Sequence, residues 1–392
     1  MMEEIKHKRW IYKPSLREQI VTEARRLPTI MNPETLTNSL QTICQKALAP
    51  TKPRNRSQGK PWWSQRLKEL RTRLLACRRI LTRANKETQG NPNNDILTSF
   101  KIAYTEFTIE KKASKNRLHE RLCEEINRNP WGDAYRTAMS ALKPRARCIV
   151  PKNLDKILDG LFPKHPKLKP ISYPQDPPHE VSELEITTAA KKLKSGKSPG
   201  PDGIPAEVVQ INALTNTAKM AKMMTDILQT GVFPTQWKSA TLKLLPKEGN
   251  SDLTPKYRPI CLINATAKLL EHVVNARLLE ELTKNDGIST KQHAFTRNRS
   301  CLTALDEALR AMDKVKKRGP GWVASIILLD VKNAFNSANW LKILQTLESL
   351  KVNNYLLKII QSYFQDRTLH IDDKTYVLTS GVPQGSVLGP TL

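Results

Sequence analysis

The sequence has no C-x-x-C pair. Its six cysteines, Cys44, Cys77, Cys123, Cys148, Cys261 and Cys301, are scattered. That excludes the usual spacing of a zinc knuckle or a redox pair, and the thiols read as ordinary core and surface cysteines of a reducing compartment. Long apolar runs are also missing. The longest, Val323 to Leu329, includes a serine and then meets Asp330, whereas a membrane helix needs about 20 apolar residues. The opening MMEEIKHKRW lacks the apolar core of a signal peptide, which points to cytoplasm or nucleus and away from secretion. No internal repeat is visible. Acidic residues are scarce, with 37 Asp and Glu against 64 Lys and Arg, a formal charge of +27. Such an excess selects a polyanionic partner, by default nucleic acid. An anionic membrane is the rival, and it would want a basic helix with a bulky apolar face.

What is present is enough for two or three domains: 392 residues, 39% of them hydrophobic. Residues 1–60 are polar and punctuated by proline. A weak helical pattern on Leu36, Leu40, Ile43 and Ala47 predicts a poorly ordered or weakly helical segment, ending in the basic, linker-like TKPRNRSQGKP (51–61). Residues 61–150 read as two amphipathic helices separated by a turn-rich stretch at 89–95, with 20 Lys/Arg against 9 Asp/Glu between Lys60 and Val150. A solvated helical face is the plain reading. Arg71, Arg73, Arg78 and Arg79 beside aromatics favour an RNA-binding arm. Residues 151–180 form a Pro/Lys-rich linker. Ser182 and Glu185 then make a capping box. From there the chain alternates, with helices predicted near 205–229, 264–283, 301–317, 338–350 and 354–365. Strands are predicted at 240–246, 322–331, 366–371 and 375–380. Mixed elements on short connections predict an α/β or α+β core.

Several segments carry chemistry. In IILLDVKNAFNS (326–337) an apolar, strand-like run ends in Asp330. A carboxylate on a strand end is rigidly aimed, and Mg²⁺ prefers oxygen ligands. A helix cap is the competing role. Phe335 follows five residues later. TSGVPQGSVLGP (379–390) carries three glycines, two prolines and no charge, a composition that lets main chain approach a ligand closely. Lys247 and Arg258 each stand beside a proline. Two stiffly held cations suit a triphosphate, although surface charge explains either one alone. KSPGPDGIP (197–205) is a second Gly/Pro loop. QHAFTRNRS (292–300) sets Arg297 and Arg299 before a helix start at Ser300.

The order of KSPGPDGIP, LLPKEGN, YRPICLINATAKLLEHVVNARL, QHAFTRNRSCLTAL, LLDVKNAFNSANW and GVPQGSVLGP over residues 180–392 resembles the non-LTR (LINE-type) retrotransposon reverse transcriptases. PWW (61–63) and NPWGDAY (129–135) look like the connector of the jockey-like and arthropod rDNA-inserting branch. The resemblance implies a right-hand polymerase fold, with fingers over 181–300 and a partial palm over 301–392, without a thumb, preceded by the basic helical connector. It implies an RNA-directed DNA polymerase that adds dNTPs to a DNA primer on an RNA template with two Mg²⁺. It makes Asp330 the first catalytic carboxylate and metal ligand, with the Val331 carbonyl beside it. Phe335 becomes the residue that excludes a 2′-hydroxyl. Gln384 and Gly385 become the loop on template and nucleotide. Lys247 and Arg258 hold the triphosphate, and Arg297 and Arg299 face the template.

The chain departs from the family at Ala294 and Asn298, where glycine is usual, and in the aromatic-x-Asp-Asp box, which the family carries downstream of the Gly/Pro loop. The expectation is an interior slice of a longer polyprotein, a degenerate copy or an incomplete gene model, inactive alone. Asp372-Asp373 is the only adjacent Asp pair. It precedes the Gly/Pro loop between two strand-like runs and reads as a hairpin turn. The alternative function is a catalytically dead RNA-binding fragment. A viral RNA-dependent RNA polymerase is disfavoured by Phe335, which stands where a polar residue would welcome the 2′-hydroxyl.

Overall fold

The computed structural model describes residues 10–28, 31–50, 62–87, 93–130, 132–142, 153–246, 257–319, 321–331 and 333–392. The chain divides into two compact units, residues 1–51 with 147–392, and residues 52–146. The first unit opens with strand β1 (Trp10–Ile11), helices α1 (Arg17–Arg25) and α2 (Pro33–Ala47), and strand β2 (Ala49–Pro50). The second holds α3 (Gln65–Glu87), α4 (Asn94–Arg128) and α5 (Asp133–Leu142). The first unit resumes with α6 (Leu154–Leu161), α7 (Glu183–Lys192), α8 (Ala206–Thr215) and α9 (Thr217–Thr230). Strands β3 (Ser239–Pro246) and β4 (Tyr257–Ile263) lead into α10 (Ala265–Lys284) and α11 (Cys301–Lys316). Helices α12 (Trp340–Ser349) and α13 (Asn354–Phe364) and the hairpin β5 (Thr368–Ile371) and β6 (Lys374–Val377) complete it.

The mixed α/β architecture expected from the alternation is present. The main sheet has the order β4-β3-β5-β6, with β3 antiparallel to β4, parallel to β5, and β5 antiparallel to β6. Along β3 buried and half-buried residues alternate, so Ala240, Leu242 and Leu244 enter the core, the period of a strand with one covered face. Pro259 is tolerated in β4 because that strand is an edge of the sheet. Ile371 pairs with Lys374, which leaves Asp372-Asp373 as the two-residue hairpin turn, with Asp372 at φ 48.

Three expectations are corrected. Residues 10–50, read as part of a poorly ordered or weakly helical segment, are helical and packed. Asn32 and Thr35 cap α2 reciprocally, and Ile20, Ala24, Leu36, Leu40, Ile43 and Cys44 are buried in the same core as α8 and α9. Asn216 donates to the Ala24 carbonyl at 3.0 Å, and the Trp237 indole N–H to Thr37 Oγ1 at 3.3 Å. A helix too weak to stand alone is thus stabilised by tertiary burial. The Pro/Lys-rich stretch, expected to be a linker, is tied down. The Ile171 amide donates to Gln361 Oε1 at 2.8 Å, Gln361 Nε2 returns to the Ile171 carbonyl at 3.1 Å, and the His165 amide donates to Thr379 Oγ1 at 3.0 Å. Last, residues 322–331 form no strand. Ile327, Leu328 and Leu329 are 83–89% exposed. A strand exists through a neighbour's hydrogen bonds, and among the described residues no strand pairs with this run.

In the second unit α3 and α4 pack on each other, burying Leu67, Leu70 and Ala84 against Ala103 and Ser114. Trp63 meets Phe107 edge-on at 6.2 Å.

Candidate nucleic-acid interface

The Gly/Pro loop at 379–390 is docked through main chain. The Cys261 amide on the free edge of β4 donates to the Gln384 carbonyl at 2.8 Å. Gly385 lies at φ +128, and a Cβ there would stand 2.5 Å from the Cys261 carbonyl oxygen. Gly381 lies at φ +78, and a Cβ there would collide with the Asn336 carbonyl. Both positions therefore require glycine, as the composition of the loop suggested. The Val382 amide donates to the Phe335 carbonyl at 2.6 Å, and the Gly381 amide to the Ala338 carbonyl at 2.8 Å.

Beside the docked loop lies a cleft of about 560 Å³. Its walls are β4 residues Ile260 to Ile263 and loop residues Gly385 to Val387. Lys192 at the end of α7, Lys194 and Lys197 beyond it, and Lys268 and His272 on α10 complete it. Burial pushes the Lys268 ammonium below its ordinary range, against the pull of Glu271. Burial, with the positive charges of Lys192 and Lys268, pushes His272 down to about 4. His272 is therefore neutral at pH 7, with one nitrogen free to donate and the other to accept. A cleft with four ammonium groups and bare glycine main chain on one rim has the chemistry of a phosphate-backbone site.

Of KSPGPDGIP, Lys197, Ser198 and Pro199 line the cleft. Asp202 anchors the turn by accepting the Ile204 amide at 3.0 Å. Burial pushes the Asp202 carboxyl up to about 7.

The structure gathers only some of the residues singled out from sequence. Gly385 lines the cleft, and Gln384 precedes it with its carbonyl held by the Cys261 amide. Phe335 lies against the same loop, its carbonyl accepting the Val382 amide, and a Cβ on Gly389 would stand 3.6 Å from its ring. Phe295, at φ 57, meets Phe335 edge-on at 6.2 Å. Arg258 is exposed near the start of β4. Lys247 lies outside the described residues. Asp330 and Val331 are exposed on the unpaired run rather than fixed on a strand end. Arg299 donates to the carbonyls of Thr290 and Gln292, bracing its own turn instead of facing a template, while Arg297 is exposed. Of the two positions where the resembled family has glycine, Asn298 is left-handed at φ 61, while Ala294 is not and its neighbour Phe295 is, at φ 57. In the second unit Arg71 lies over the Trp63 ring at 5.6 Å and Arg73 pairs with Glu106 at 2.9 Å. Arg78 and Arg79 are exposed there.

Lys192, Lys194, Lys268 and His272 were not singled out from sequence. The run KKLKSGK showed charge without a target, and Lys268 and His272 announced themselves only as an i, i+4 pair on a helix.

Residues 245–392 match the family described as "Reverse transcriptase (RNA-dependent DNA polymerase)". The chain is 29% identical over 358 residues to the "Retrovirus-related Pol polyprotein from type-1 retrotransposable element R1" of Bradysia coprophila, covering 84% of this chain and 34% of that protein. It is 24% identical over 375 residues to the "Putative 115 kDa protein in type-1 retrotransposable element R1DM" of Drosophila melanogaster, covering 91% and 36%. It is 28% identical over 222 residues to the "RNA-directed DNA polymerase from mobile element jockey" of the same fly, covering 54% and 24%. The chain thus spans about a third or less of the length of these curated relatives.

Proposed function

We propose that this chain, whose residues 245–392 match the reverse transcriptase family, is the fingers and partial palm of a non-LTR retrotransposon's RNA-directed DNA polymerase, carried behind a basic RNA-binding connector. The activity in view is transfer of dNTPs to a primer 3′-hydroxyl on an RNA template. The observation that carries the reading is the joining of the Gly/Pro loop, β4 and four lysines around one cleft. Lys192, Lys194, Lys197 and Lys268 hold phosphates of the nucleic acid. Gln384 and Gly385 offer main chain to template and incoming nucleotide. Phe335, under that loop, fills the space a 2′-hydroxyl would need. Lys247 and Arg258 hold the triphosphate.

The family chemistry uses divalent metal, and Asp330 with the Val331 carbonyl is the candidate ligand set. Two-metal catalysis needs several carboxylates converging on ions about 3.5–4 Å apart. Among the described residues no three His, Cys, Asp or Glu side chains gather in that way. The donor set formed by these residues does not fit a two-metal centre, so their chemistry is binding and positioning. This observation favours a second reading for the 392-residue polypeptide taken alone, an RNA-binding fragment without polymerisation.

One experiment addresses both readings. The chain is expected to bind poly(rA)·oligo(dT) and, with Mg²⁺, to incorporate no dTTP. The double variant Lys194→Gln/Lys197→Gln is expected to lower the log–log salt slope by about one to two, at roughly 0.7–0.9 per phosphate neutralised. An unchanged slope would refute the cleft as the nucleic-acid site. Incorporation abolished by Asp330→Ala would refute the second reading.

A further inference from the structure

Beneath the Gly/Pro loop runs a buried chain of hydrogen bonds that the polymerase reading does not use. Glu271, on α10, is fully buried. Its Oε2 accepts the Ser386 hydroxyl at 2.8 Å and the Val387 amide at 2.6 Å. The Ser386 oxygen in turn accepts the Tyr363 hydroxyl at 2.7 Å and the Leu388 amide at 3.1 Å. With both lone pairs of Ser386 engaged, its proton has Glu271 as its acceptor. Tyr363 is itself buried on α13, and the guanidinium of buried Arg367 lies 4.1 Å from its ring centroid while donating to its carbonyl at 3.0 Å.

A buried carboxylate is a poor way to stabilise a core, since well-packed apolar side chains usually do as well or better. The charge here is incompletely satisfied too: Glu271 Oε1, Arg367 Nε and Arg367 Nη2 are buried without a hydrogen-bond partner. What Glu271 does supply is an acceptor for a stretch of main chain that has no regular structure. The proximal half of the loop is pinned by backbone, through Ala338, Phe335 and Cys261. The distal half, Ser386 to Leu388, is pinned through Glu271 and the serine hydroxyl.

We propose that Glu271 is a positioning residue, which through Ser386 and Val387 fixes the loop main chain at the mouth of the basic cleft so that Gly385 faces bound nucleic acid. The proposal rests on the reading of that cleft as the nucleic-acid site.

The test pairs amide hydrogen exchange over residues 384–389 with binding of a labelled oligo(rU). Glu271→Ala is expected to speed exchange at Val387 and Leu388 by about tenfold or more, the scale of leaving a buried donor without its acceptor. It is also expected to weaken oligo(rU) binding. Glu271→Gln keeps a side-chain carbonyl for both donors and is expected to restore protection and affinity. Ser386→Ala removes the relay without stranding Arg367. It does leave the buried Tyr363 hydroxyl without its acceptor, so it is expected to lower the melting temperature modestly while the protein stays folded, to speed exchange at Leu388 and to lower affinity, and it decides the matter should Glu271→Ala not fold. Unchanged exchange in folded Glu271→Ala or Ser386→Ala overturns the proposal. So does a Gln variant as damaged as the Ala variant, which would assign Glu271 to charge balance with Arg367. Lys194→Gln/Lys197→Gln separates this from the cleft reading: it should weaken binding with loop exchange unchanged. If it leaves binding intact, the cleft reading fails, while accelerated exchange still decides whether Glu271 anchors the loop.

Discussion

Asp202 is a residue whose charge the fold resists. One of its oxygens accepts the Ile204 amide, and the other is buried without a partner. Burial lifts its carboxyl from an ordinary 3.8 to about 7. A raised carboxyl costs no stability at low pH, where folded and unfolded chains are both protonated. The cost grows as pH rises from the unfolded value and is complete above the folded one. Asp202→Asn keeps an acceptor for Ile204 and removes the titration. It is expected to leave the melting temperature unchanged near pH 3 and to raise it at pH 8. Thermal melts at the two pH values check this, and an equal gain at both would show that Asp202 does not titrate in the fold. The neighbouring cleft works in the opposite sense at His272, which burial and two lysines keep neutral above about 4. The site thus carries its positive charge on lysines rather than on His272, and its loop scaffold rests on a buried acid raised to about 7.

At the scale of elements, the Gly/Pro loop is distinguished by close approach of main chain to main chain. Gly385→Ala would press a methyl group to 2.5 Å from the Cys261 carbonyl at φ +128. The loop must lift from β4, at a cost on the order of 1–3 kcal/mol. Gly160 is the control, because a Cβ there meets nothing within 4 Å and it lies inside α6. Gly160→Ala should stabilise by about 0.5–1 kcal/mol. Denaturant melts of the two variants are expected to move in opposite directions, and parallel shifts would show that the loop is not docked as described. The need for glycine in this loop was legible because the composition is local. So were the Ser182/Glu185 capping box, the Asp372-Asp373 turn and the long helices, whose period is carried by residues a few positions apart. What could not be read depends on distant partners. Residues 322–331 have the apolar run of a strand and no pairing strand among the described residues, whereas β4 becomes a strand by pairing with β3 despite its proline. Helix α2 was too weak to predict firmly and is made by the core it enters. The cleft lysines come from separate segments, and no spacing rule connects Lys194 with Lys268.

The whole molecule carries +27, and its two units hold basic surface in different ways. In the first, lysines converge on a cleft beside a fixed loop. In the second, the charge is spread along a helix pair, with Arg78 and Arg79 exposed on α3 and part of the remainder already engaged, as Arg73 is with Glu106 and Arg71 with Trp63. We propose that the second surface binds RNA with little sequence preference, since phosphate contacts carry affinity and not sequence information. The core of the first unit gives a way to test this cleanly. It runs from Ile20 to Leu48 and from Leu154 to Leu388, with none of the described residues of 52–146 in it. Replacing residues 61–150 by a flexible Gly/Ser linker is therefore expected to leave a folded first unit with little change in melting temperature. RNA affinity should fall, and the log–log salt slope should flatten by several units, each lost phosphate contact contributing roughly 0.7–0.9. If the slope and affinity survive while the protein stays folded, the helix pair is a solvated basic surface and the cleft alone accounts for binding. If instead the first unit unfolds, residues 61–150 contribute to its stability as well as to binding.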